Sequence, residues 1–210
     1  MFSRRSLLLS SPAVMVLGSV LSATAQSPPS VADLAVAGPL GDKPVGNDDA
    51  KVTIIEYASL TCGHCARFHK DIWPALKAKY VDTGKARYIL REFPLDPLAT
   101  AGFMAARCAA EGKYHAVIDL LFQQQANWAF VEKPLGALVG ILRQAGFTQE
   151  SFESCLKRDD IYVAINDVKN RGSQKIGVTS TPTFFINGQK HTGALSLQEF
   201  DKILAPLLGE

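Results

Sequence analysis

Two cysteines separated by two residues, Cys62-Gly63-His64-Cys65, are the part of this chain best suited to chemistry. They follow an apolar, strand-like run from Val52 to Ala58 and open a helical stretch from Ala66 to Tyr80. A cysteine where a helix begins faces free backbone N–H groups and the positive end of the helix dipole. Both stabilise a thiolate, so Cys62 is expected to titrate below the ordinary thiol value of about 8.5. Cys65, one turn on, can close a disulfide with it. A redox dithiol is the expected reading, ahead of a structural bridge or half of a zinc site, for which His69 is one further ligand where two are needed. In such a dithiol an incoming thiolate attacks the Cys62 sulfur, Cys65 leaves, and a second thiolate resolves the mixed disulfide.

Other residues are placed to tune that pair. His64 lies between the sulfurs, and its imidazole is expected to donate toward Cys62 and favour the thiolate. Glu56 is a carboxylate in an otherwise apolar strand, where burial disfavours the charged form. It suits proton exchange with a buried Cys65; the alternative is a structural pair with a base such as Arg91. Cys108 and Cys155 fall on separate predicted helices, with Cys155 on a face shared with Phe152 and Leu156. A structural disulfide between them is expected, with two buried free thiols or a second redox pair as the alternatives. His69, His115 and His191 have no metal-site spacing, and no metal or other cofactor is expected. Trp73 and Trp128 read as core, although Leu60 and Trp128 could instead border a peptide groove.

The elements around these residues are legible from local signals. Val52–Ala58 is apolar on both faces, as expected of a central strand covered on both sides. Thr61 is the predicted N-cap of the dithiol helix, and Pro74 is expected to kink that helix because the Lys70 carbonyl loses its donor. A second strand spans 85–93. Asp96-Pro97 reads as an N-cap with proline at the first helical position, opening a series of helices at 98–111, 113–125, 134–145, 149–158 and 160–175. Residues 183–187 read as a strand, Asn187-Gly188 as a tight turn into a strand at 189–192, and Ser196 to Glu199 as a capping box for a terminal helix. Residues 27–50 carry at most one short strand.

The chain begins Met1-Phe2-Ser3-Arg4-Arg5, followed by an apolar stretch from Leu7 to Leu21 and then Ala23-Thr24-Ala25. This is the pattern of a secretory signal peptide cut before Gln26; the paired arginines are also compatible with twin-arginine export. The apolar run contains Pro12 and Gly18 and is shorter than the ~20 residues of a membrane span. The whole chain has 22 basic and 20 acidic residues; losing Arg4 and Arg5 with residues 1–25 leaves 20 of each and no net charge. That balance does not point to nucleic acid as a partner. Four cysteines in an exported chain agree with an oxidising compartment.

Strand, dithiol helix, strand, helical block, Thr-Pro strand hairpin and helix is the thioredoxin order with a helical block inserted. Three segments, Val52 to Cys65, Arg91 to Asp96 and Val178 to Gly188, resemble the bacterial periplasmic thiol–disulfide oxidoreductases of the DsbA type, and the resemblance covers residues 38–208. It implies an α/β thioredoxin fold with an inserted all-helical domain. The expected organisation is a signal peptide at 1–25, a leader at 26–50, thioredoxin-like parts at 51–95 and 177–210, and the insertion at 96–176. The resemblance also implies a cis bond before Pro182 facing the dithiol, leaving the Thr181 backbone free to pair with an extended substrate. An acid stands at the Glu56 position in that family. A monomeric, periplasmic protein disulfide oxidase is expected, acting on reduced or misfolded exported proteins and recycled by a membrane quinone-linked DsbB-type partner. The rivals are a reductase or isomerase, or a thioredoxin-like copper chaperone. The family more often carries Pro-His between its cysteines. Gly63-His64 resembles eukaryotic protein disulfide isomerases instead, and threonine before the proline also occurs in isomerases, so the direction of the chemistry stays open.

Overall fold

The computed structural model describes residues 29–210; the expected signal peptide lies outside them. Ser30 caps a short helix, α1 (Val31–Ala35), by accepting the Asp33 N–H while the Asp33 carboxylate accepts the Ser30 N–H. One short strand, β1 (Pro44–Val45), lies in this segment as expected; the helix that the reciprocal cap starts before it was not expected. β2 (Val52–Ala58) then leads into a helical stretch of four pieces. These are α2 (Gly63–Arg67), a π-helical turn (Phe68–Ile72), α3 (Trp73–Leu76) and a second π-helical turn (Lys77–Val81). Pro74 explains the first break differently from the expected kink. The Trp73 N–H bonds back to the Phe68 carbonyl, five residues earlier, so proline falls in the first turn of α3, where no N–H is needed.

β3 (Ala86–Glu92) returns parallel to β2. Asp96 caps α4 (Pro97–Cys108) by accepting the Ala99 N–H at 2.8 Å, and α5 (Tyr114–Gln123), α6 (Pro134–Leu142), α7 (Gln149–Leu156) and α8 (Asp159–Gln174) follow. β4 (Thr183–Ile186) and β5 (Gln189–Thr192) form the expected hairpin, with Asn187 at φ 44° and Gly188 at φ 91° in its turn. The Ser196–Glu199 capping box starts α9 (Leu197–Leu208). The five strands lie in the order β1-β3-β2-β4-β5, with β2 and β3 parallel and the other pairs antiparallel.

Strand alternation sends β2 side chains to two cores. Val52, Ile54 and Ala58 face a large cluster with Phe68, Phe184, Phe200 and the inserted helices' Phe122, Trp128 and Phe152. Ile55 and Tyr57 face a smaller cluster with Leu34, Ile89, Val168 and Phe185. There α8 lies so close to the sheet that a β-carbon on Gly172 would sit 2.9 Å from the Tyr57 ring. A buried ionic cluster ties insertion to sheet: Glu92 of β3 accepts from Arg107 Nε of α4 at 2.6 Å and from the Tyr114 hydroxyl of α5 at 2.8 Å. Among the described residues no helix is long and apolar enough to cross a membrane.

Within the insertion, Cys108 and Cys155 are joined as a disulfide across 47 residues of sequence. A crosslink of that length stabilises by about 4 kcal/mol in the chain-entropy account. Urea unfolding of a Cys108→Ala/Cys155→Ala protein is therefore expected to show a loss of that order, and an unchanged midpoint would show that the crosslink is inert.

Candidate active site

The turn between β2 and α2 holds the dithiol, with both thiols free. Cys62, not Thr61, is the N-cap: its sulfur accepts the Cys65 N–H at 3.4 Å. Thr61 is drawn away because its hydroxyl donates to Asp96 at 2.6 Å, which ties the dithiol turn to the start of α4. Cys62 is 8% exposed, while Cys65 is fully buried.

Their surroundings act on the two sulfurs in opposite directions. Cys62 is lowered to about 5, first by a hydrogen bond from the Cys65 thiol. The Thr181 side chain and the backbone N–H groups of Cys65 and His64 add to this and outweigh burial. Burial pushes Cys65 well above the ordinary thiol value, and its bond to Cys62 and the charge of Glu56 push the same way. Attack on Cys62 releases Cys65, which requires a proton once free, and Cys62 is then the better leaving group from the mixed disulfide.

The Thr181–Pro182 peptide bond is cis, and the Thr181 carbonyl oxygen lies 3.3 Å from the Cys62 sulfur. The chain segment before β4 is thereby held against the nucleophile. His64 is exposed. It acts on Cys62 through its backbone N–H rather than through its imidazole, which departs from the expectation.

Glu56 is fully buried, but Arg91 is not its partner. The parallel register places Glu56 opposite Leu90 and Tyr57 opposite Arg91, so the pleat sends the acid and the guanidinium to opposite faces of the sheet. Arg91 bonds Asp42 and the Tyr57 hydroxyl instead. Glu56 Oε2 accepts from the Tyr88 hydroxyl and lies 3.0 Å from His69 Nε2. His69, weighed in the sequence only as a zinc ligand, carries no signal there for this contact, because one histidine on an apolar helix face has no spacing partner. Gln125 is the second residue missed: buried, it donates to the carbonyls of Leu60 at 2.7 Å and Cys62 at 3.0 Å, holding the dithiol turn from the insertion side. Leu60 and Trp128 do not border an open groove. Both are fully buried, and the Trp128 N–H is spent on the Leu121 carbonyl at 2.9 Å. Among the described residues no cluster of three or more His, Cys, Asp or Glu could hold a metal ion.

The family described as Thioredoxin matches residues 40–205. The solved structure of Wolbachia pipientis alpha-DsbA1 is 33% identical, with a TM-score of 0.78 over 86% of this chain and 96% of that one. The chain belongs to the DsbA-type thioredoxin-fold family. BdbD from Bacillus subtilis shares the fold at 18% identity, with a TM-score of 0.70 over 88% of this chain and 98% of that one. A Rickettsia typhi protein provisionally named a protein-disulfide oxidoreductase is 34% identical over 148 residues, 70% of this chain and 55% of the relative. A Rickettsia conorii protein with the same provisional name is 33% identical over 173 residues, 80% of this chain and 61% of that one. The chain thus spans little more than half the length of these curated relatives.

The depressed Cys62 value makes the stability of the reduced protein depend on pH. The folded value of about 5 lies below the unfolded value of about 8.5. The stabilisation is complete above the unfolded value, is about 3 kcal/mol at pH 7, and vanishes as pH falls through 5. Urea unfolding of the reduced protein at pH 7 and pH 4 is expected to show wild type losing about 3 kcal/mol more than Cys62→Ser. Equal losses would contradict the low value.

Proposed function

We propose that this chain is an exported thiol–disulfide oxidoreductase that oxidises dithiols in secreted or periplasmic proteins. The observation that carries the reading is the opposition of the two sulfurs, a nucleophile lowered to about 5 beside a partner raised by burial. A low value for Cys62 stabilises the reduced dithiol and so makes the oxidised form the stronger oxidant. Taking about 3 kcal/mol at pH 7, the shift is on the order of 60 mV.

The steps balance without a cofactor. A substrate thiolate attacks Cys62 in the Cys62–Cys65 disulfide; the S–S bond breaks, and Cys65 leaves with the electron pair and takes up a proton. Glu56, whose carboxylate is close enough for its charge to act on Cys65, is the proposed donor when it carries a proton. A second substrate thiolate then attacks the substrate sulfur of the mixed disulfide, and Cys62 departs as a thiolate. Two electrons pass from substrate to protein, to be removed by a membrane quinone-linked partner of the DsbB type. The Thr181 backbone beside cis-Pro182 is the proposed docking edge for an extended substrate segment. The signal-like pattern of residues 1–25 supports export, removal of those residues and residence in the periplasm as part of this reading.

Gly63-His64 and Thr181 favour a second reading, a reductase or isomerase using the same dithiol. A glutathione redox titration separates the two. A potential near about −120 mV supports the oxidase, and one near about −270 mV the reductase. In an assay with a reduced model protein and oxidised glutathione as the electron acceptor, Cys62→Ser is expected to abolish disulfide formation and Cys65→Ser to accumulate a mixed disulfide through Cys62, by exchange of the substrate thiolate with its glutathione adduct. Full activity in Cys62→Ser would remove the site assignment.

A further inference from the structure

Beside Tyr88, whose hydroxyl lies 3.5 Å from its Nε2, His69 meets the same Glu56 oxygen and leads from it toward the surface. The His69 ring is 3% exposed and stacks on Phe122, with centroids 4.1 Å apart and planes inclined by 13°. Its Nε2 lies 3.0 Å from Glu56 Oε2. Its Nδ1 is buried without a hydrogen bond, 3.9 Å from Asp119 Oδ1 of α5. The Asp119 side chain is 49% exposed, so one end of this row reaches water while the other, Glu56, is sealed in the core.

We propose that His69 and Asp119 carry protons between solvent and the Glu56–Cys65 pair, making them positioning residues for dithiol exchange. The proposal rests on the oxidoreductase reading. When Cys65 is released as a buried thiolate, Glu56 protonates it; Glu56 is replenished from His69 Nε2, and His69 Nδ1 receives a proton by way of Asp119. When Cys65 must attack the Cys62 sulfur during reoxidation, the same proton travels outward. Because the two half-reactions use the path in opposite directions, each restores the imidazole tautomer the other changed. The ring never has to turn over, which its stack on Phe122 would oppose. Asp119 needs to move about 1 Å to close on Nδ1, and it accepts no hydrogen bond from another described residue that would hold it back.

The groups facing this row are few. Tyr88 on β3 donates to Glu56, and burial followed by the charge of Glu56 holds its hydroxyl well above the usual phenol value, so it is a fixed donor rather than a carrier. Cys65 faces Glu56 from α2, and the charges of His115 on α5 and Lys77 on the dithiol helix act on Asp119. A Glu56–His69 contact serving structure alone would be indifferent to Asp119, which therefore separates the two roles.

The test follows one step. Reduced protein is mixed with oxidised glutathione, and decay of the Cys62–glutathione mixed disulfide is followed by rapid acid quench and intact mass between pH 5 and pH 9. Decay requires Cys65 to lose its proton. Asp119→Asn and His69→Gln are expected to slow it at pH 7 by about tenfold or more. The deficit should shrink as pH rises and hydroxide replaces the relay, and Asp119→Glu should restore the rate. His69→Gln carries the same expectation if Asp119→Asn does not fold. Decay at the wild-type rate and with the wild-type pH profile in these variants would overturn the relay. A wild-type protein that neither forms the mixed disulfide nor oxidises dithiols would instead overturn the oxidoreductase reading.

Discussion

Cys62 and Cys65 share one turn of helix, yet one sulfur is surrounded by donors and the other by apolar side chains. The Cys65 thiol, the Thr181 side chain and two backbone N–H groups lower the first, and together they outweigh the cost of its partial burial. The second lies wholly inside the large core, close enough to Glu56 for the acid's charge to oppose a thiolate. A disulfide joining such a pair is poised toward reduction, because the completed exchange leaves Cys62 as a thiolate that its surroundings hold and Cys65 as a neutral thiol.

Much of the architecture serves that difference. The β2–α2 turn is clamped from three directions. Asp96 at the head of α4 takes the Thr61 hydroxyl, Gln125 from the insertion takes the Leu60 and Cys62 carbonyls, and the segment carrying cis-Pro182 closes over the sulfur. Two of these three come from the helical block. The insertion is therefore part of the site's construction as well as a cover for the sheet, and the Glu92–Arg107–Tyr114 cluster anchors it to β3.

What could be read from the sequence was what local chemistry encodes. The dithiol spacing, the Asp96 cap, the Asn187-Gly188 turn and the Ser196–Glu199 box each act within a few residues, and each element stands where its signal put it. Glu56 was visible as an acid in an apolar strand, but its partner was not. The pairing depends on the register of β2 against β3, which no short turn fixes because the two strands are joined by a crossover. His69 and Gln125 failed to stand out for a related reason: their roles arise from tertiary neighbours far away in sequence. The burial of Leu60 and Trp128 likewise follows from how the insertion packs on the sheet. The helix α1 was not read at all, because its 5 residues are too few for periodicity to show.

Site-resolved alkylation tests the central difference most directly. The reduced protein would be pulsed with iodoacetamide from pH 3 to pH 10, and each cysteine's modification read by peptide mass spectrometry. The account predicts Cys62 reacting with a midpoint near 5, while Cys65 stays unmodified through pH 9. Two cysteines titrating together near the ordinary thiol value would contradict it.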